Sequence, residues 1–179
     1  MNDLDNLAIK YGTDKFSKHR YTAFYYELLK DKQDSFKKIL EIGAGEGQSL
    51  RMWRDFFPNA MIYCGEIEDG RIFEDGRIKV IKCDQSKSDD VQLLLNKIGT
   101  DIDFVVDDGS HIPGDQVFTC CEIAPKLVGD FIYIIEDVSK EEILDMLKEK
   151  LGSDYDYQMV VTRRWTSDNR LIIVRRKNV

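Results

Sequence analysis

Acidic residues at two points of the chain could together bind a metal ion. Asp108 follows the apolar run 102–106, and Glu136 and Asp137 follow the apolar run 131–135. If these runs are adjacent parallel strands, their carboxyl ends lie at the same edge of a sheet, so the three carboxylates crowd together. Such carboxylates repel one another unless they share a proton or a cation, and Mg²⁺ or Ca²⁺ suits all-oxygen ligands. The pattern favours a metal site, although acids that merely form turns and helix caps would look the same.

One histidine lies close to these acids in sequence. The chain has 2 histidines, and His111 follows Asp108 by three residues in a Gly-Ser loop. At this edge of the sheet its imidazole could accept a proton from a substrate hydroxyl that a metal ion has acidified. A histidine in a loop is more often a solvated polar residue, so this role depends on the neighbouring acids. The other histidine, His19, is the weaker candidate.

A glycine-rich loop offers a second site, for a nucleotide-type cofactor. The segment 39–50 runs from apolar residues through alternating glycines into an apolar-periodic stretch, which predicts a strand, a tight loop and a helix. Glycine permits the positive φ and the close backbone approach that such a loop requires. The loop reads Glu41, Gly43, Gly45 and Gly47 at alternate positions. An ordinary glycine turn between strand and helix is the alternative.

The spacing of the glycines distinguishes between cofactors. A dinucleotide fingerprint requires a further glycine where this chain has Gln48. The observed spacing instead resembles the first motif of class I S-adenosylmethionine-dependent methyltransferases. Carboxylates at Glu41, Glu46 and Glu66 would repel a pyrophosphate but tolerate a sulfonium cation. Glu66 also lies about 20 residues beyond the loop, where a carboxylate can accept two hydrogen bonds from a ribose.

The elements that must position these residues follow from the periodicity of the apolar residues. Strands are predicted at 39–42, 61–66, 78–83, 102–106, 131–135, 155–162 and 171–175. Helices are predicted at 21–30, 50–57, 91–98 with a cap near Ser88, 114–126 and 143–151. The segment 67–77 is too rich in turn residues for a crossover helix, and the last two strands, joined by Ser167-Asp168-Asn169, read as an antiparallel pair. The predicted fold class is α/β: a Rossmann-like doubly wound sheet, mostly parallel with an antiparallel C-terminal strand, and helices on both faces.

The aromatic-rich segment 1–36 precedes the first strand. It could be an amphipathic cap that covers the sheet, or its turn at 11–15 could lie over the cofactor as a lid. The physical argument alone favours the cap. We expect a single domain over 1–179, made of this N-terminal cap or lid and a Rossmann-like core at 37–179.

Composition narrows the classes of partner. The chain has 179 residues, 42% of them hydrophobic, and a net charge of −7. It contains no apolar run of about 20 residues and no signal pattern at its N-terminus, so we expect a cytoplasmic protein without a membrane partner. The negative charge argues against nucleic acid binding, and the basic spots Arg163-Arg164 and 175–177 read as solvated strand ends. A homo-oligomer is left open.

The four cysteines do not indicate a zinc site or a disulfide. Cys64, Cys83, Cys120 and Cys121 contain no C-x-x-C pair. Cys120 and Cys121 share a helical spacing with apolar neighbours. We therefore interpret them as small core residues in a reducing compartment.

Several motifs together resemble the metal-dependent sugar O-methyltransferases, which include the macrolide deoxysugar enzymes of the mycinamicin and tylosin type. The matching motifs are Tyr11-Gly12-Thr13-Asp14-Lys15 with His19 and Tyr21, Leu40-Glu41-Ile42-Gly43, Ser49-Leu50-Arg51-Met52-Trp53, Asp84-Gln85-Ser86, Asp107-Asp108-Gly109-Ser110-His111 and Ile135-Glu136-Asp137. The resemblance implies that Asp108, Glu136 and Asp137 bind Mg²⁺ and that His111 is the catalytic base. It also makes the segment 11–15 a lid. The implied cofactor-binding residues are Thr13, Lys15, Glu41, Gly43, Gly45, Gly47, Glu66, Asp84, Gln85 and Asp107.

The expected reaction is transfer of a methyl group from S-adenosylmethionine to a sugar hydroxyl. The chain departs from the family after Asp137, where the longer insert that embraces the acceptor is missing, and it lacks the extra N-terminal domain of the macrolide enzymes. These departures suggest a sugar at the end of a glycan, in a glycoside or linked to a nucleotide. A small-phenol (catechol-like) O-methyltransferase and a non-catalytic S-adenosylmethionine-binding module are the alternatives. Gln48 disfavours a nicotinamide oxidoreductase.

Overall fold

The computed structural model describes residues 1–162 and 169–177. Its helices are α1 (Asp3–Tyr11), α2 (Asp14–Ser17), α3 (Tyr21–Leu29), α4 (Gln48–Phe56), α5 (Ser88–Ile98), α6 (Pro113–Ile123) and α7 (Glu142–Leu151). Its strands are β1 (Lys38–Ile42), β2 (Met61–Glu66), β3 (Glu74–Asp75), β4 (Ile78–Lys82), β5 (Phe104–Asp107), β6 (Ile132–Ile135), β7 (Tyr155–Val161) and β8 (Arg170–Arg176). No helix within the described ranges combines the length and the apolar character that crossing a membrane requires.

These strands form a single sheet in the order β3-β4-β2-β1-β5-β6-β8-β7. Strands β4, β2, β1, β5 and β6 are parallel, and β8 runs antiparallel to both β6 and β7. The predicted mixed α/β sheet is therefore confirmed. The chain continues from β1 to β2 on one side and later places β5 on the other side of β1. Ligands of open α/β sheets bind at the carboxyl ends of the strands at such a switch point.

Helices α1 and α2 and strand β3 were not predicted from the sequence. Helix α1 begins with a capping box, in which the Asn2 side chain accepts from the Asp5 N–H and the Asp5 carboxylate accepts from the Asn2 N–H. It ends at Gly12, whose φ of 73° gives the left-handed cap that glycine favours. Strand β3 is a two-residue antiparallel neighbour of β4 within the turn-rich segment. Of the predicted C-terminal connection, Ser167 and Asp168 lie outside the described residues, as do Arg163 and Arg164.

The core lies on both faces of the sheet. Helices α1, α3 and α4 cover one face, where Tyr25, Trp53 and Phe104 are fully buried and meet at ring-centroid distances of 5.1 to 6.0 Å. Helices α5, α6 and α7 cover the other face. Helix α3 thus belongs to the core, and its position brings two tyrosines to the carboxyl end of β6. The cysteines pack as predicted: Cys64, Cys83 and Cys120 are buried, Cys121 is half-buried, and all four are free.

Candidate active site

The loops after β1 and β5 approach each other closely at the switch point. Gly43 has a φ of 91°, and a Cβ added there would lie 2.3 Å from the carbonyl oxygen of Asp108. Only glycine allows this approach, because any side chain would collide with backbone that cannot move aside. The glycine loop therefore brings the end of β1 directly against Asp108.

Two grooves open beside this contact. The larger groove, of about 480 Å³, is lined by Gly65, Glu66, Asp84, Gln85 and Ser110 among others. The smaller groove, of about 430 Å³, is lined by Thr13, Asp14, Ser49 and His111 among others. Gly43, Gly45 and Asp108 line both grooves. A single elongated ligand could therefore pass the glycine loop and end near Asp108.

The acid that ends β2 is held in place by backbone groups. One oxygen of Glu66 accepts from the Ala44 N–H at 2.8 Å, and the other accepts from the Glu68 N–H at 2.8 Å. Each oxygen keeps a further lone pair. Glu66 can therefore still accept hydrogen bonds from a pair of hydroxyls in the larger groove.

Gln85 connects three parts of the groove wall. Its Nε2 donates to Asp107 at 3.1 Å and to Thr119 at 3.0 Å, and its Oε1 accepts from the Ser110 N–H at 2.7 Å. Asp107 is itself buried, and this burial raises its pKa to about 7. Asp107 therefore supports the wall through Gln85 and does not line either groove.

The structure separates the predicted cofactor-binding residues into two sets. Those that line a groove are Thr13, Gly43, Gly45, Glu66, Asp84 and Gln85. Those outside the groove linings are Lys15, Glu41, Gly47 and Asp107. A Cβ on Gly47 would meet Phe73 at 2.9 Å, so this glycine serves packing behind the loop. Lys15 and Glu41 face each other behind Asp108.

Lys15 is a buried cation surrounded by carboxylates. Its Nζ lies 2.7 Å from Asp108 Oδ2, 2.7 Å from Glu136 Oε2 and 3.3 Å from Glu41 Oε1. Burial acts to lower the Lys15 pKa, but the three carboxylates outweigh it and raise the pKa well above its usual value. The ammonium is therefore the local countercharge for these acids.

The acids around Lys15 respond differently to burial. Burial acts to raise the pKa of Asp108, but Lys15 and His111 outweigh it and lower the pKa to about 2. At Glu41, burial outweighs the attraction of Lys15 and raises the pKa to about 7. At Glu136 burial also dominates and raises the pKa well above its usual value. Asp108 is thus the acid of this group that stays ionised most firmly.

A second group of ligating atoms lies on the outer side of Asp108. His111 Nε2 is 3.0 Å from Asp108 Oδ1, and His111 Nδ1 is 3.7 Å from Asp137 Oδ2. The hydrogen bond to Asp108 is the main reason that the His111 pKa rises to about 9. Asp108, His111 and Asp137 each offer a ligand atom, and these atoms lie within 4.8 Å of one another. The two carboxylates are hard oxygen ligands that suit Mg²⁺ or Ca²⁺, whereas the imidazole is a softer ligand.

Glu136 has different contacts from Asp108 and Asp137, the two acids with which the sequence pattern groups it. Its Oε2 accepts from Lys15, and its Oε1 accepts from the Tyr25 hydroxyl. Within the described residues, the group that could hold a metal ion comprises Asp108, His111 and Asp137. The difference arises because a lysine and a tyrosine from the N-terminal segment reach Glu136 across more than one hundred positions of sequence.

Sequence reasoning missed three contributions of the N-terminal segment to this site. The Tyr21 hydroxyl donates to Asp137 Oδ1 at 2.7 Å, and the Tyr25 hydroxyl donates to Glu136. The buried His19 lies with its Nδ1 3.2 Å from Asp137 Oδ1. The sequence signals were the density of aromatic residues before the first strand and the motif positions of His19 and Tyr21, and neither specifies the acids that these residues meet.

Backbone strain also concentrates here. Among the described residues, the non-glycine residues with positive φ are Arg20, His111 and Asp137, at 60°, 56° and 52°. Such conformations cost roughly 1–3 kcal/mol each and persist where the surroundings enforce them. Two of the three belong to the group that could hold a metal ion.

Curated proteins with similar sequences are sugar O-methyltransferases. The 8-demethyl-8-alpha-L-rhamnosyl tetracenomycin-C 2'-O-methyltransferase of Streptomyces olivaceus is 34% identical over 142 residues, which cover 75% of this chain and 37% of that protein. The mycinamicin VI 2''-O-methyltransferase of Micromonospora griseorubida is 33% identical over 144 residues, which cover 76% of this chain and 36% of that protein. The chain thus spans little more than a third of the length of these relatives. No protein-family model matches it.

Two solved methyltransferase structures are also similar to this chain. MycE methyltransferase from the mycinamycin biosynthetic pathway, in complex with Mg, SAH and mycinamycin VI, matches with a TM-score of 0.70 and 33% identity, over 76% of this chain and 39% of that one. A putative caffeoyl-CoA O-methyltransferase from Staphylococcus aureus matches with a TM-score of 0.66 and 14% identity, over 98% of this chain and 93% of that one. The second match shows the fold alone.

Proposed function

The chain is related by sequence and fold to the S-adenosylmethionine-dependent sugar O-methyltransferases, and we propose that it transfers a methyl group from S-adenosylmethionine to a sugar hydroxyl in a Mg²⁺-dependent reaction. One observation carries the proposal: Asp108 lines both grooves and also belongs to the group that could hold a metal ion. A cofactor in the glycine-lined groove and a cation at Asp108 would therefore be neighbours.

The glycine loop and Glu66 support the cofactor part of the proposal. Where Gly43 approaches Asp108, the wall shared by the two grooves consists of glycine backbone, because a side chain at Gly43 would collide with Asp108. Glu66 offers oxygens where a ribose would lie, and Thr13 lines the smaller groove from the N-terminal segment. We propose that the stretch 11–15 of this segment covers the cofactor and that the segment, residues 1–36, forms a single domain with the core at 37–179.

Asp108, Glu136 and Asp137 are the proposed metal ligands, and Asp108 and Asp137 belong to the group of ligand atoms that lie within 4.8 Å of one another. When bound, a divalent ion supplies Lewis acidity that favours loss of a proton from a nearby hydroxyl. His111 is the proposed acceptor of that proton. Its side chain is 43% exposed, the most open of the group, so an acceptor sugar can reach it. Asp108 orients the ring through Nε2 at 3.0 Å, whereas Nδ1 lies 3.7 Å from Asp137, beyond hydrogen-bond distance, and is the nitrogen proposed to accept the proton.

The acceptor is proposed to be a small sugar in an accessible position: a glycan end, a glycoside or a nucleotide-linked sugar. The open side of the site, at His111, supports this choice. A panel of such sugars, with catechols for comparison, should be tested for methylation with S-adenosylmethionine and Mg²⁺. We expect turnover with a sugar and its loss in EDTA. Activity that is indifferent to EDTA, or that is confined to catechols, would contradict the proposal.

We predict that His111→Ala lowers turnover by roughly 10²-fold or more, because it removes the proton acceptor. Binding of S-adenosylhomocysteine, measured by calorimetry, should be retained, since His111 lines only the smaller groove and the larger groove with Glu66 is left intact. Ser86→Ala is the contrasting variant, because Ser86 lines the larger groove and not the smaller one. Unchanged turnover of His111→Ala would remove His111 from this role.

A further inference from the structure

Lys15 places a fixed positive charge beside the proposed metal ligands. Its side chain is 1% exposed, and its ammonium is within 2.7 Å of both Asp108 and Glu136. Burying an ammonium this deeply is costly unless carboxylates surround it. The site therefore contains a resident cation supplied by the protein chain.

The same lysine connects the acids to the N-terminal segment. Lys15 belongs to α2, which begins after Thr13, whose hydroxyl accepts from the Lys15 N–H at 3.4 Å. Thr13 and Asp14 line the smaller groove. The position of this groove wall is thus tied to Asp108 and Glu136 through one ammonium group.

The charges on this lysine and on a divalent ion oppose each other. The Oδ2 atom of Asp108 accepts a hydrogen bond from Lys15, and its Oδ1 atom faces His111, which belongs to the group that could hold a metal ion. An ammonium near a dication repels it, and both would draw on the same carboxylates. Lys15 also neutralises acids that would otherwise repel one another without a metal ion.

We propose that Lys15 is a positioning residue that acts as an internal cation of the metal site: it holds Asp108 and Glu136 in place without a metal ion and lowers the affinity of the site for the ion. This inference rests on the proposed metal dependence and deepens it. It concerns binding and stability, so it needs no acceptor sugar.

The test replaces Lys15 with methionine, which keeps the stem and removes the charge. We expect Lys15→Met to bind Mn²⁺ roughly tenfold or more tightly than the wild type, measured from the free-ion signal in electron paramagnetic resonance. Its melting temperature should fall without metal and rise on addition of Mn²⁺ by several degrees more than that of the wild type. Folding only in the presence of Mn²⁺ would be the extreme form of this result.

Two further variants separate charge from packing. Lys38→Met removes a lysine that contacts Asp101 and the Ile98 carbonyl far from the site; it should change the melting temperature without changing Mn²⁺ affinity. Lys15→Met with Glu136→Gln removes the ammonium together with the carboxyl group that it contacts. The loss of repulsion and the loss of a proposed ligand oxygen should offset each other, so we expect restored metal-free folding and nearly wild-type Mn²⁺ affinity.

Two outcomes would overturn the proposal. One is a folded Lys15→Met chain with wild-type or weaker Mn²⁺ affinity. The other is a double variant that fails to restore metal-free folding, because charge balance would then not be the function of Lys15. Absence of sugar methylation would instead count against the proposed function and leave these measurements valid.

Discussion

At the scale of single residues, Asp108 gives each of its carboxylate oxygens a different task. Oδ2 accepts from Lys15 on the buried side, and Oδ1 pairs with His111 on the open side. The low pKa of Asp108 keeps both oxygens available as acceptors. One side chain thus joins the buried ion pairs to the part of the site that a substrate can reach.

The motifs predicted much of this site but not its internal contacts. Asp108, Glu136 and Asp137 could be grouped from sequence, with His111 near them, because acids after adjacent parallel strands must meet at one edge. The partnership of Lys15 with Glu136 could not, since it depends on how the N-terminal segment folds back over the sheet. The roles of Glu136 and Lys15 stay predictions until metal binding is measured.

The ionic contacts around Asp55 should control how the stability of the fold changes at acidic pH. Lys10 Nζ lies 2.9 Å from Asp55 Oδ2, Arg54 Nε lies 3.0 Å from Asp55 Oδ1, and the Tyr11 hydroxyl also donates to Asp55. Partial burial acts to raise the Asp55 pKa, but these three donors lower it to about 2. Because the folded-state pKa lies below the unfolded one, this stabilisation is present above about pH 4 and is lost as the pH falls towards 2.

We predict that Asp55→Asn lowers the free energy of unfolding by about 1–2 kcal/mol at pH 6 and by progressively less at pH 4 and below. Urea unfolding at a series of pH values measures this difference. Asp75→Asn is the control, because Asp75 contacts only the rim of this cluster at Arg54 Nη1, 3.3 Å away, and is 51% exposed. A constant difference between wild type and Asp55→Asn across the series would refute the assignment.

At the scale of elements, the glycine loop between β1 and α4 is the most constrained connection. We predict that Gly43→Ala destabilises the fold by more than about 2 kcal/mol and abolishes S-adenosylhomocysteine binding. A methyl group there meets the Asp108 carbonyl at 2.3 Å in a backbone with a φ of 91°. Thermal unfolding and calorimetry measure the two effects.

Gly114→Ala is the matched control for this prediction. Gly114 lies in the first turn of α6, and a Cβ there has nothing within 4 Å. The replacement should leave stability unchanged or raise it slightly, since alanine favours a helix more than glycine does. Equal effects of the two replacements would show that the approach of β1 to β5 is not a constraint.

The sheet was largely predictable because its strands are buried on both faces and therefore read as apolar runs. Strands β5 and β6, for example, are buried throughout. Helix α1 was harder to predict, because its apolar face is short and its start depends on the reciprocal bonds of Asn2 and Asp5. Strand β3 has two exposed residues and leaves no apolar signal at all.

At the scale of the whole molecule, the N-terminal segment is part of the folded core. Tyr21, Tyr25 and Leu29 of α3 are fully buried, and Tyr25 packs against Trp53 and Phe104. A lid that merely covers the site would expose such residues when it opens. Any opening must therefore be confined to the shorter stretch around α2.

We predict that backbone amides of α3 exchange with deuterium as slowly as those of β1 and β5, through global unfolding. Native-state exchange followed by mass spectrometry over a denaturant series measures this. Amides around α2 provide the internal comparison and should exchange faster. Fast exchange throughout α3 would show that the whole segment opens as one unit.

The exposed fraction of the side chains around Asp108 increases from the innermost acid, Glu41, to the outermost residue, His111. The side chains of Glu41, Glu136, Asp137, Asp108 and His111 are 0%, 2%, 7%, 24% and 43% exposed, in that order. Among the residues described, the side chains of this group therefore become more accessible towards the imidazole. In the proposed reaction, an ion on Asp137 and an acceptor sugar at His111 would lie side by side at this exposed end of the group. We therefore expect the acceptor to slow exchange of the ion for as long as it is bound.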